Sequence, residues 1–345
     1  MPPPKFTMRS IAALARVSVS TVSRALRRDS RISADVGDLI RKLAADSGYQ
    51  PNPHASFLAN IHAQNRSAFR GVIAAVAGHK LKNPWKQMPH FRSFLAGASR
   101  RAENQHFRVD SFWLYSPGMR PERLENILVA RNVSGVMLAC MDEEECPWDW
   151  SKFSVAALKR IATPSSFHYV HIDIHDSFFQ AFRATKEHGY SRIGCVVPAE
   201  LDRRNQDRLL SVVTHLSRRE PLKQRVPPLE CPVADIPSAM SPWLKKFRPD
   251  VVIGFGDEVA VALRECGARI PQDVAFVNLD RADPDLDQSG VDPHYETLGA
   301  AAVDSVIEQI YHGERGVPAG TKGITVPGTW VEGSSMPQRT VRTIA

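Results

Sequence analysis

The stretch Val17-Ser18-Val19-Ser20-Thr21-Val22-Ser23-Arg24-Ala25-Leu26 has the pattern of a short helix with two unlike faces. Ser18 is a good N-cap, because its hydroxyl can accept a hydrogen bond from a backbone N–H two or three residues later. Val22 and Leu26 lie one turn apart on an apolar face. The opposite face carries Ser20, Thr21, Ser23 and Arg24. Short hydroxyls suit phosphate oxygens and an arginine fork matches guanine, so the stretch predicts a DNA-reading helix.

A second short helix is predicted just before this stretch, over 8–15, with Thr7 as its N-cap. Its apolar stripe consists of Ile11, Leu14 and Ala15. Two short amphipathic helices joined by a tight turn are typical of a helix-turn-helix. The spacing alone is also consistent with a small helical bundle that has one polar face, although it favours the helix-turn-helix.

The distribution of charge separates these two alternatives. Residues 1–70 carry 11 Lys and Arg but only four Asp and no Glu, so this segment holds the whole formal net charge of +7. The remaining 275 residues carry 33 basic and 33 acidic side chains. A basic segment attached to a neutral body is typical of a nucleic-acid-binding protein, because each neutralised phosphate releases condensed counterions.

The residues after the reading helix predict a third helix and then a very short fourth one. Ser33 precedes a helix over 34–46 that Gly48 ends. The apolar side chains that close its core are Val36, Leu39, Ile40 and Leu43. Asn52 and Pro53 begin a helix of barely two turns. So short a helix is unstable alone in water, so we expect it to form only when DNA and a second copy hold it.

After a polar linker, the pattern changes at residue 71 to an alternation of buried strands and amphipathic helices. The predicted strands span 71–77, 108–114, 135–140, 169–174, 192–197, 251–255 and 274–279. The predicted helices span 90–105, 121–130, 178–188, 207–217, 258–266 and 298–312. Repeated β-α units form parallel sheets covered by helices on both faces, and there are enough strands for two such sheets. Ligands of such sheets bind beyond the carboxyl ends of the strands.

Length and composition limit the remaining possibilities. At 345 residues the chain is long enough for a small module and two domains. The five cysteines are odd in number and lack metal-binding spacing, so we expect reduced thiols in a cytoplasmic, nucleoid-associated protein. The N-terminal residues lack an apolar signal core, and no run approaches the roughly 20 apolar residues that cross a bilayer. We expect no membrane partner and no cofactor.

The N-terminal residues resemble a known family. The reading-helix stretch, Ile32-Ser33, Gly48-Tyr49-Gln50-Pro51-Asn52 and residues 55–59 closely resemble the headpiece and hinge of the lac repressor family of bacterial transcription regulators. The resemblance covers the first 60 residues almost without gaps. It implies a helix-turn-helix headpiece, a hinge helix, and a body like the periplasmic sugar-binding proteins, with two doubly wound parallel-sheet subdomains around a small molecule.

The rest of the chain resembles the same family more loosely. Residues 173–194 look like its crossover segment, with Gly189-Tyr190-Ser191-Arg192-Ile193 at its Gly-His-x-x-Ile pattern. Residues 270–280 are similar to its proline-aspartate entry into a strand that ends Gly-Phe-Asp. The implied segments are a headpiece (1–50), a hinge helix and linker (51–69), an N-terminal subdomain (70–172 with 291–325), a C-terminal subdomain (173–290) and a tail (326–345).

By this resemblance, several headpiece residues fall at the DNA. Base edges are contacted by Val19, Ser20 and Arg24. The expected phosphate contacts are Arg16, Ser18, Thr21, Ser23, Arg27 and Asn52. Ala55 and Leu58 fall on hinge positions at the minor groove, where a leucine can unstack a base step and also pack against a partner hinge helix. Arg24 should carry more of the hydrogen-bonded readout than Val19, because valine has no donor.

Four body residues are candidates for binding the effector. Asp280 matches a ligand-binding aspartate of the family at the carboxyl end of a strand. Arg208 looks like an arginine that pairs with effector hydroxyls or acids, and Tyr295 falls where the family has a pocket aromatic. Asp257 completes the set. Each of these residues could instead have a purely structural role. Arg203 and Arg204 are alternatives to Arg208 as the arginine that binds the effector.

The sequence also departs from the family pattern. Arg16 occupies a turn position where glycine is usual, and a side chain at positive φ there costs about 1 kcal/mol. Arg27 replaces an asparagine and Ser56 replaces a common hinge arginine. Gly256-Asp257 stands where the family commonly has Asn-Asp, so an asparagine that often binds sugar is missing.

A different interpretation makes the body a catalytic or metal-binding domain fused to a DNA-binding headpiece. His171, Asp173 and His175 alternate, and on a strand they would point to one face and could ligate a metal. The resemblance instead favours a homodimeric repressor without enzyme activity. It would bind a pseudo-palindromic operator in double-stranded DNA and respond to a small-molecule effector, such as a sugar, a sugar derivative or a similar polar metabolite. The tail after Gly328 has no leucine heptads, which favours a dimer.

Overall fold

A computed structural model of the chain describes residues 7–26, 32–47, 49, 70–139, 141, 146–159, 167–283 and 285–339. The chain divides into two compact units, Met1–Arg70 with Tyr311–Gly313 and Gly71–Ile310 with Glu314–Ala345. Four residues expected at the DNA lie outside the described residues, namely Arg27, Asn52, Ala55 and Leu58. Among the described residues, no helix is both long enough and apolar enough to span a membrane.

The first unit contains three helices among its described residues, α1 (Met8–Ala15), α2 (Val19–Leu26) and α3 (Ala34–Asp46). These bounds confirm the predicted helix-turn-helix and third helix. The buried core side chains are Ile11, Ala12, Val22, Ala25, Ile40 and Ala44. The expectation that Leu14 and Leu39 join this core is wrong, since they are 58% and 48% exposed. The core face of each helix is centred on other residues, so both leucines lie on its flank.

An arginine of α3 forms a hydrogen bond to the C-terminal end of α2. Arg41 donates one hydrogen bond of 3.1 Å from Nη1 to the carbonyl oxygen of Ala25 and another of 2.7 Å from Nη2 to Asp38. A Cβ atom at Gly37 would lie 3.2 Å from both terminal nitrogens of Arg41. The glycine therefore leaves room for the hydrogen bonds of Arg41. It does so although a glycine inside a helix costs up to about 1 kcal/mol. Ser33 occupies the N-cap position of α3, but its side chain accepts no capping hydrogen bond.

The second unit contains two six-stranded sheets. Sheet 1 is parallel throughout, in the order β11-β5-β4-β3-β1-β2. Its strands are β1 (Gly71–Ala77), β2 (Phe107–Trp113), β3 (Gly135–Ala139), β4 (Ser154–Leu158), β5 (His168–Ile172) and β11 (Gly323–Val326). Sheet 2 has the order β12-β10-β9-β8-β6-β7, and only β12 is antiparallel to its neighbour. Its strands are β6 (Ile193–Pro198), β7 (Leu229–Cys231), β8 (Val251–Gly254), β9 (Ala275–Asn278), β10 (Ser289–Asp292) and β12 (Thr329–Val331).

Helices connect the strands of both sheets, as the alternation predicted. They are α4 (Pro84–Gln87), α5 (Pro89–Asn104), α6 (Pro121–Ala130), α7 (Ile174–Glu187), α8 (Ala199–Arg204), α9 (Arg208–Arg218), α10 (Ile236–Phe247), α11 (Asp257–Glu265) and α12 (Tyr295–His312). The sequence did not predict β4 or α10. Helix α10 was missed because Pro237 and Pro242 interrupt its pattern. The short strands β7, β10, β11 and β12 were missed as well, since three or four residues carry little periodicity.

The chain passes between the sheets more than once. It leaves sheet 1 after β5, and it returns through α12, whose buried residues pack in the core of sheet 1. Helices α5 and α12 approach each other very closely: a Cβ at Gly97 would lie 2.0 Å from the carbonyl oxygen of Glu296. A Cβ at Gly299 would lie 2.0 Å from that of Phe94. This contact packs the middle of α5 against the first turns of α12, and the two glycines make this close approach possible.

Candidate DNA-binding face and candidate effector site

The first turn of α2 is fixed by a hydroxyl cluster. The backbone N–H of Thr21 donates to Ser18 Oγ at 3.1 Å, which confirms Ser18 as the N-cap. Ser18 Oγ also lies 2.7 Å from Ser20 Oγ and 2.8 Å from Thr21 Oγ1. These hydroxyls therefore order one another at the end of the helix that the sequence assigned to the DNA.

The residues predicted to read base edges lie on the outer face of α2 within the headpiece. Val19, Ser20 and Arg24 are exposed, whereas Val22 and Ala25 are buried in the three-helix core. Val19 is 41% exposed, so its side chain is accessible to a partner. The helix thus presents one small apolar side chain, one hydroxyl and one guanidinium together.

The turn between α1 and α2 is strained at the residue that the sequence marked as unusual. Arg16 has φ 51° and ψ 42°, in the left-handed region, and its side chain is exposed. Its N–H donates to Ala13 at 3.3 Å, and the N–H of Val17 donates to Ala12 at 3.0 Å. This is the geometry in which a glycine usually ends a helix.

Asn278 connects two of the predicted effector residues. Its Oδ1 atom accepts hydrogen bonds from the backbone N–H groups of Gly256, at 3.0 Å, and of Asp280, at 2.9 Å. Its Nδ2 atom donates to Gln288 at 2.8 Å and to Asp257 at 3.3 Å. The side chain is 1% exposed and all its hydrogen-bonding groups are used. The loops that follow β8 and β9 are therefore held together by one buried amide.

A histidine on α5 packs against Tyr295, and the charge of Asp280 acts on its pKa. The ring of His90 lies 5.4 Å from the ring of Tyr295, centroid to centroid. Burial lowers the pKa of His90, the charge of Asp280 opposes this shift, and Lys159 and His79 reinforce it. The Asp280 Oδ1 atom is buried and has no hydrogen-bond partner within the part of the chain that the structure describes. Among the described residues, this oxygen therefore keeps its capacity to accept a hydrogen bond.

Arg208 lines a pocket between α7 and α9, and Asp257, Asp280 and Tyr295 are not among the residues that line it. The pocket has a volume of about 440 Å³. Its lining residues are His171, Asp173, Ile174, His175, Arg208, Ser211, Val212 and His215. The structure therefore joins Asp257 and Asp280 through Asn278, places Tyr295 against His90, and places Arg208 in this pocket. The competing residue Arg203 does not line the pocket.

The predicted alternation of His171, Asp173 and His175 along a strand is wrong. Strand β5 ends at Ile172, and Asp173 is the N-cap of α7, with its side chain accepting the N–H of Asp176 at 2.9 Å. The three residues still line the same pocket because the helix begins immediately after the strand. Among the described residues, no group of three or more His, Cys, Asp or Glu side chains is arranged to hold a metal ion.

Two family models match the chain. The model described as bacterial regulatory proteins, lacI family, matches residues 7–52, and the model of a periplasmic binding protein-like domain matches residues 182–336. The chain therefore carries a lacI-family helix-turn-helix domain followed by a periplasmic-binding-protein-like domain. The first match falls on the helix-turn-helix. The second match falls on the part of the body that contains sheet 2, α12 and β11.

Individual relatives agree with these two matches. The HTH-type transcriptional repressor CytR of Escherichia coli strain K12 is 25% identical over 200 residues, which cover 56% of this chain and 54% of CytR, so the chain spans about half the length of this relative. The fold is that of the cellobiose complex of transcriptional regulator CelR, with a TM-score of 0.60, 19% identity, and 96% and 99% of the two chains covered. The lac repressor dimer bound to operator and the anti-inducer ONPF is similar as well, with a TM-score of 0.55 and 18% identity. The match covers 97% of this chain and 100% of that chain.

Several residues of the site escaped the sequence analysis. They are His79, His90, Lys159, Asn278 and His215. His90 lies on α5, two hundred residues before Tyr295, and only packing brings the two rings together. Asn278 precedes the predicted Asp280 by two residues, and its polar side chain at the end of a buried strand was a signal that could have been used.

Proposed function

We propose that this protein is a lacI-family transcriptional repressor that binds a pseudo-palindromic operator as a homodimer and is controlled by a small polar effector between its two body subdomains. The observation that carries this proposal is the exposed face of α2, where Val19, Ser20 and Arg24 are presented together by a capped helix in a helix-turn-helix. One such helix offers few base contacts. Two copies at half-site spacing supply the specificity that one copy lacks.

The DNA contacts divide into two kinds in this proposal. Arg24 donates to a guanine edge, Ser20 contacts a base edge, and Val19 packs against a thymine methyl group. The phosphates are contacted by Arg16, Ser18, Thr21, Ser23, Arg27 and Asn52. Ala55 and Leu58 enter the minor groove from the hinge, where Leu58 opens a base step and bends the operator.

The effector contacts in this proposal come from both body subdomains. The buried Oδ1 atom of Asp280 accepts a hydrogen bond from an effector hydroxyl, which removes the cost of leaving that oxygen unsatisfied. Asp257 supplies a second acceptor, and Tyr295 with His90 supplies an aromatic wall. Arg208 binds a further polar group. A ligand that contacts both subdomains changes their relative orientation, and with it the spacing of two headpieces in a dimer.

The test is operator binding by the full-length protein. Sites selected from random DNA are measured by fluorescence anisotropy at several salt concentrations, with Arg24→Ala and, as a control on the body, Arg100→Ala. We expect Arg24→Ala to lose preference for the selected site by tenfold or more while its nonspecific binding changes little, and Arg100→Ala to behave as the wild type. Equal losses in specific and nonspecific binding would contradict direct readout by Arg24.

A second measurement concerns the hinge. Leu58→Gly should weaken operator binding and reduce the bend angle in a gel-shift assay, because a glycine cannot wedge between base pairs. An unchanged bend angle would remove the wedge from the proposal. Sedimentation of the complex reports the number of chains on each operator, and one chain per full site would contradict the homodimer.

A further inference from the structure

The pocket between α7 and α9 has the size of a small-molecule site. Its volume of about 440 Å³ lies within the roughly 300 to 1,000 Å³ typical of ligand pockets. His171 at the end of β5 and Asp173 at the start of α7 contribute to it from one side. Arg208, Ser211 and His215 contribute from the other side, where positions i, i+3 and i+7 share one face of α9.

The polar lining of this pocket is mostly basic. Four of its eight lining residues are an arginine or a histidine, and Asp173 is its one carboxylate. Asp173 already accepts the N–H of Asp176 as the cap of α7. Arg208 forms no ion pair with any residue that the structure describes. A guanidinium in this situation is suited to a bidentate contact with a carboxylate or a phosphate.

Two backbone N–H groups at the start of α9 are not available to a ligand. The N–H groups of Leu209 and Leu210 both donate to the Oδ1 atom of buried Asp202, at 2.9 and 3.2 Å. The pocket therefore binds through side chains, with Arg208 as the permanent charge and the histidines as donors that gain charge on protonation.

The histidine at the base of the pocket is held in a fixed orientation. Its Nδ1 atom lies 2.7 Å from the carbonyl oxygen of Ile172, and its Nε2 atom lies 3.1 Å from Thr325 Oγ1. Burial lowers the pKa of His171, and the charge of Arg208 lowers it further. The hydrogen bond with the Ile172 carbonyl and the charge of Asp173 both raise this pKa and so oppose the shift. The charged and titratable groups around His171 are Tyr169, Asp173, His175, Arg208 and His215. An anion placed here would favour the protonated ring and would be bound together with a proton.

We propose that this pocket binds an anionic group, and that the effector is a small hydroxylated acid, carrying a carboxylate or a phosphate, rather than a neutral sugar. The proposal rests on the proposed function, and it names the chemical class of the effector of that same site. Arg208 binds the acidic group, and His171, His175 and His215 surround it. The hydroxyls of the same class of molecule suit the carboxylates Asp280 and Asp257.

Calorimetry on the full-length protein without DNA tests this class directly. The probes are D-glucuronate and D-glucose 6-phosphate, which separate carboxylate from phosphate, with neutral D-glucose as the comparison. We expect at least one acid to bind tenfold or more tightly than glucose. Arg208→Gln should lose that advantage, and Arg208→Lys should retain part of it, because a lysine keeps the charge without the fork.

The matched control is Arg203→Gln, an exposed arginine on α8 that does not line the pocket. Its affinity for the acids should stay within twofold of the wild type. The proposal is overturned if neither acid binds, if glucose binds as tightly as both acids, or if Arg208→Gln and Arg203→Gln behave alike.

The pH dependence gives a second readout. Glucuronate stays ionised between pH 8 and 6, because a carboxyl of this kind titrates near pH 3.5. Its affinity should rise as the pH falls through this range, by up to tenfold per pH unit for each proton taken up. His171→Gln should flatten this slope and keep binding at pH 8, and a slope of the opposite sign would overturn the proposal.

These measurements are independent of DNA. Loss of operator binding with intact, Arg208-dependent acid binding would overturn the proposed function and leave the pocket assignment standing. Intact operator binding without acid binding would overturn the pocket assignment and leave the proposed function standing.

Discussion

The Oδ1 atom of Asn278 accepts a hydrogen bond of 2.9 Å from the backbone N–H of Asp280. The same oxygen accepts the N–H of Gly256, so one amide fixes the loops that follow two adjacent parallel strands. In the proposed function Asp280 binds the effector, and Asn278 acts as a positioning residue that holds its backbone. The buried amide is therefore important for both stability and ligand binding.

We expect Asn278→Ala to lower the free energy of unfolding by about 2 to 3 kcal/mol, because Gln288 and two backbone N–H groups lose their partner. Urea denaturation followed by circular dichroism measures this. The matched control is Asn205→Ala, whose Nδ2 atom donates only to the carbonyl of Leu201. Equal losses in both variants would show that Asn278 has no special part in holding these loops.

Arg16→Gly should stabilise the headpiece and weaken its DNA binding. The left-handed φ of 51° is unfavourable for arginine by about 1 kcal/mol and costs glycine little. Under the proposed phosphate contact, the variant loses one charge at the DNA, and the slope of log affinity against log salt should fall by about one. Arg16→Ala separates the effects, because it loses the contact and keeps the strain. An unchanged salt slope in both variants would exclude the phosphate contact.

Gly299→Ala should destabilise the body strongly. The new Cβ would lie 2.0 Å from the carbonyl oxygen of Phe94, so α5 and α12 must separate. We expect a loss of 2 kcal/mol or more, on the scale of core overpacking. Gly320→Ala is the control, because no atom lies within 4 Å of the added Cβ there. The ring contact between His90 and Tyr295 should loosen as well, and similar thermal stability in the two variants would contradict the close helix approach.

The body should lose stability as the pH falls below about 6.5. Burial lowers the pKa of His90 in the folded chain, so between the folded and the unfolded pKa the unfolded chain binds more protons. The stabilisation is complete above the unfolded value and declines as the pH falls towards the folded value. His90→Phe keeps the aromatic contact and should make this decline shallower. Part of the decline in stability should remain in this variant, because burial also lowers the pKa values of His168 and His171. Urea titrations at pH 7.5, 6.5 and 5.5 measure the difference, and parallel declines would contradict the assignment to His90.

The parts of the fold that the sequence predicted well depend on local patterns. Helices α1 and α3 have the predicted bounds, and Ser18 caps α2, because capping residues and helical spacing act over a few neighbouring residues. The strands with continuous apolar runs, such as β1, were equally clear. The strand β4 was missed, and the helix α10 was missed because Pro237 and Pro242 interrupt its helical pattern.

The candidate effector site was predicted only in part. Asp280 was found because it follows a predicted strand, and strand ends gather at one edge of a parallel sheet. The placement of Arg208 beside His171 and His215, and of His90 beside Tyr295, required the packing of helices from distant parts of the chain. The expected strand face with His171, Asp173 and His175 was wrong because Asp173 begins a helix.

The sequence by itself determined the helix-turn-helix, its basic charge and the alternation of strands and helices, because these follow from interactions between near neighbours and from composition. Only the tertiary structure decided which polar side chains share a site. Asn278 shows the reason: its partners Gly256 and Gln288 are 22 and 10 residues away, and a buried amide becomes satisfied only when folding brings such groups within hydrogen-bond distance.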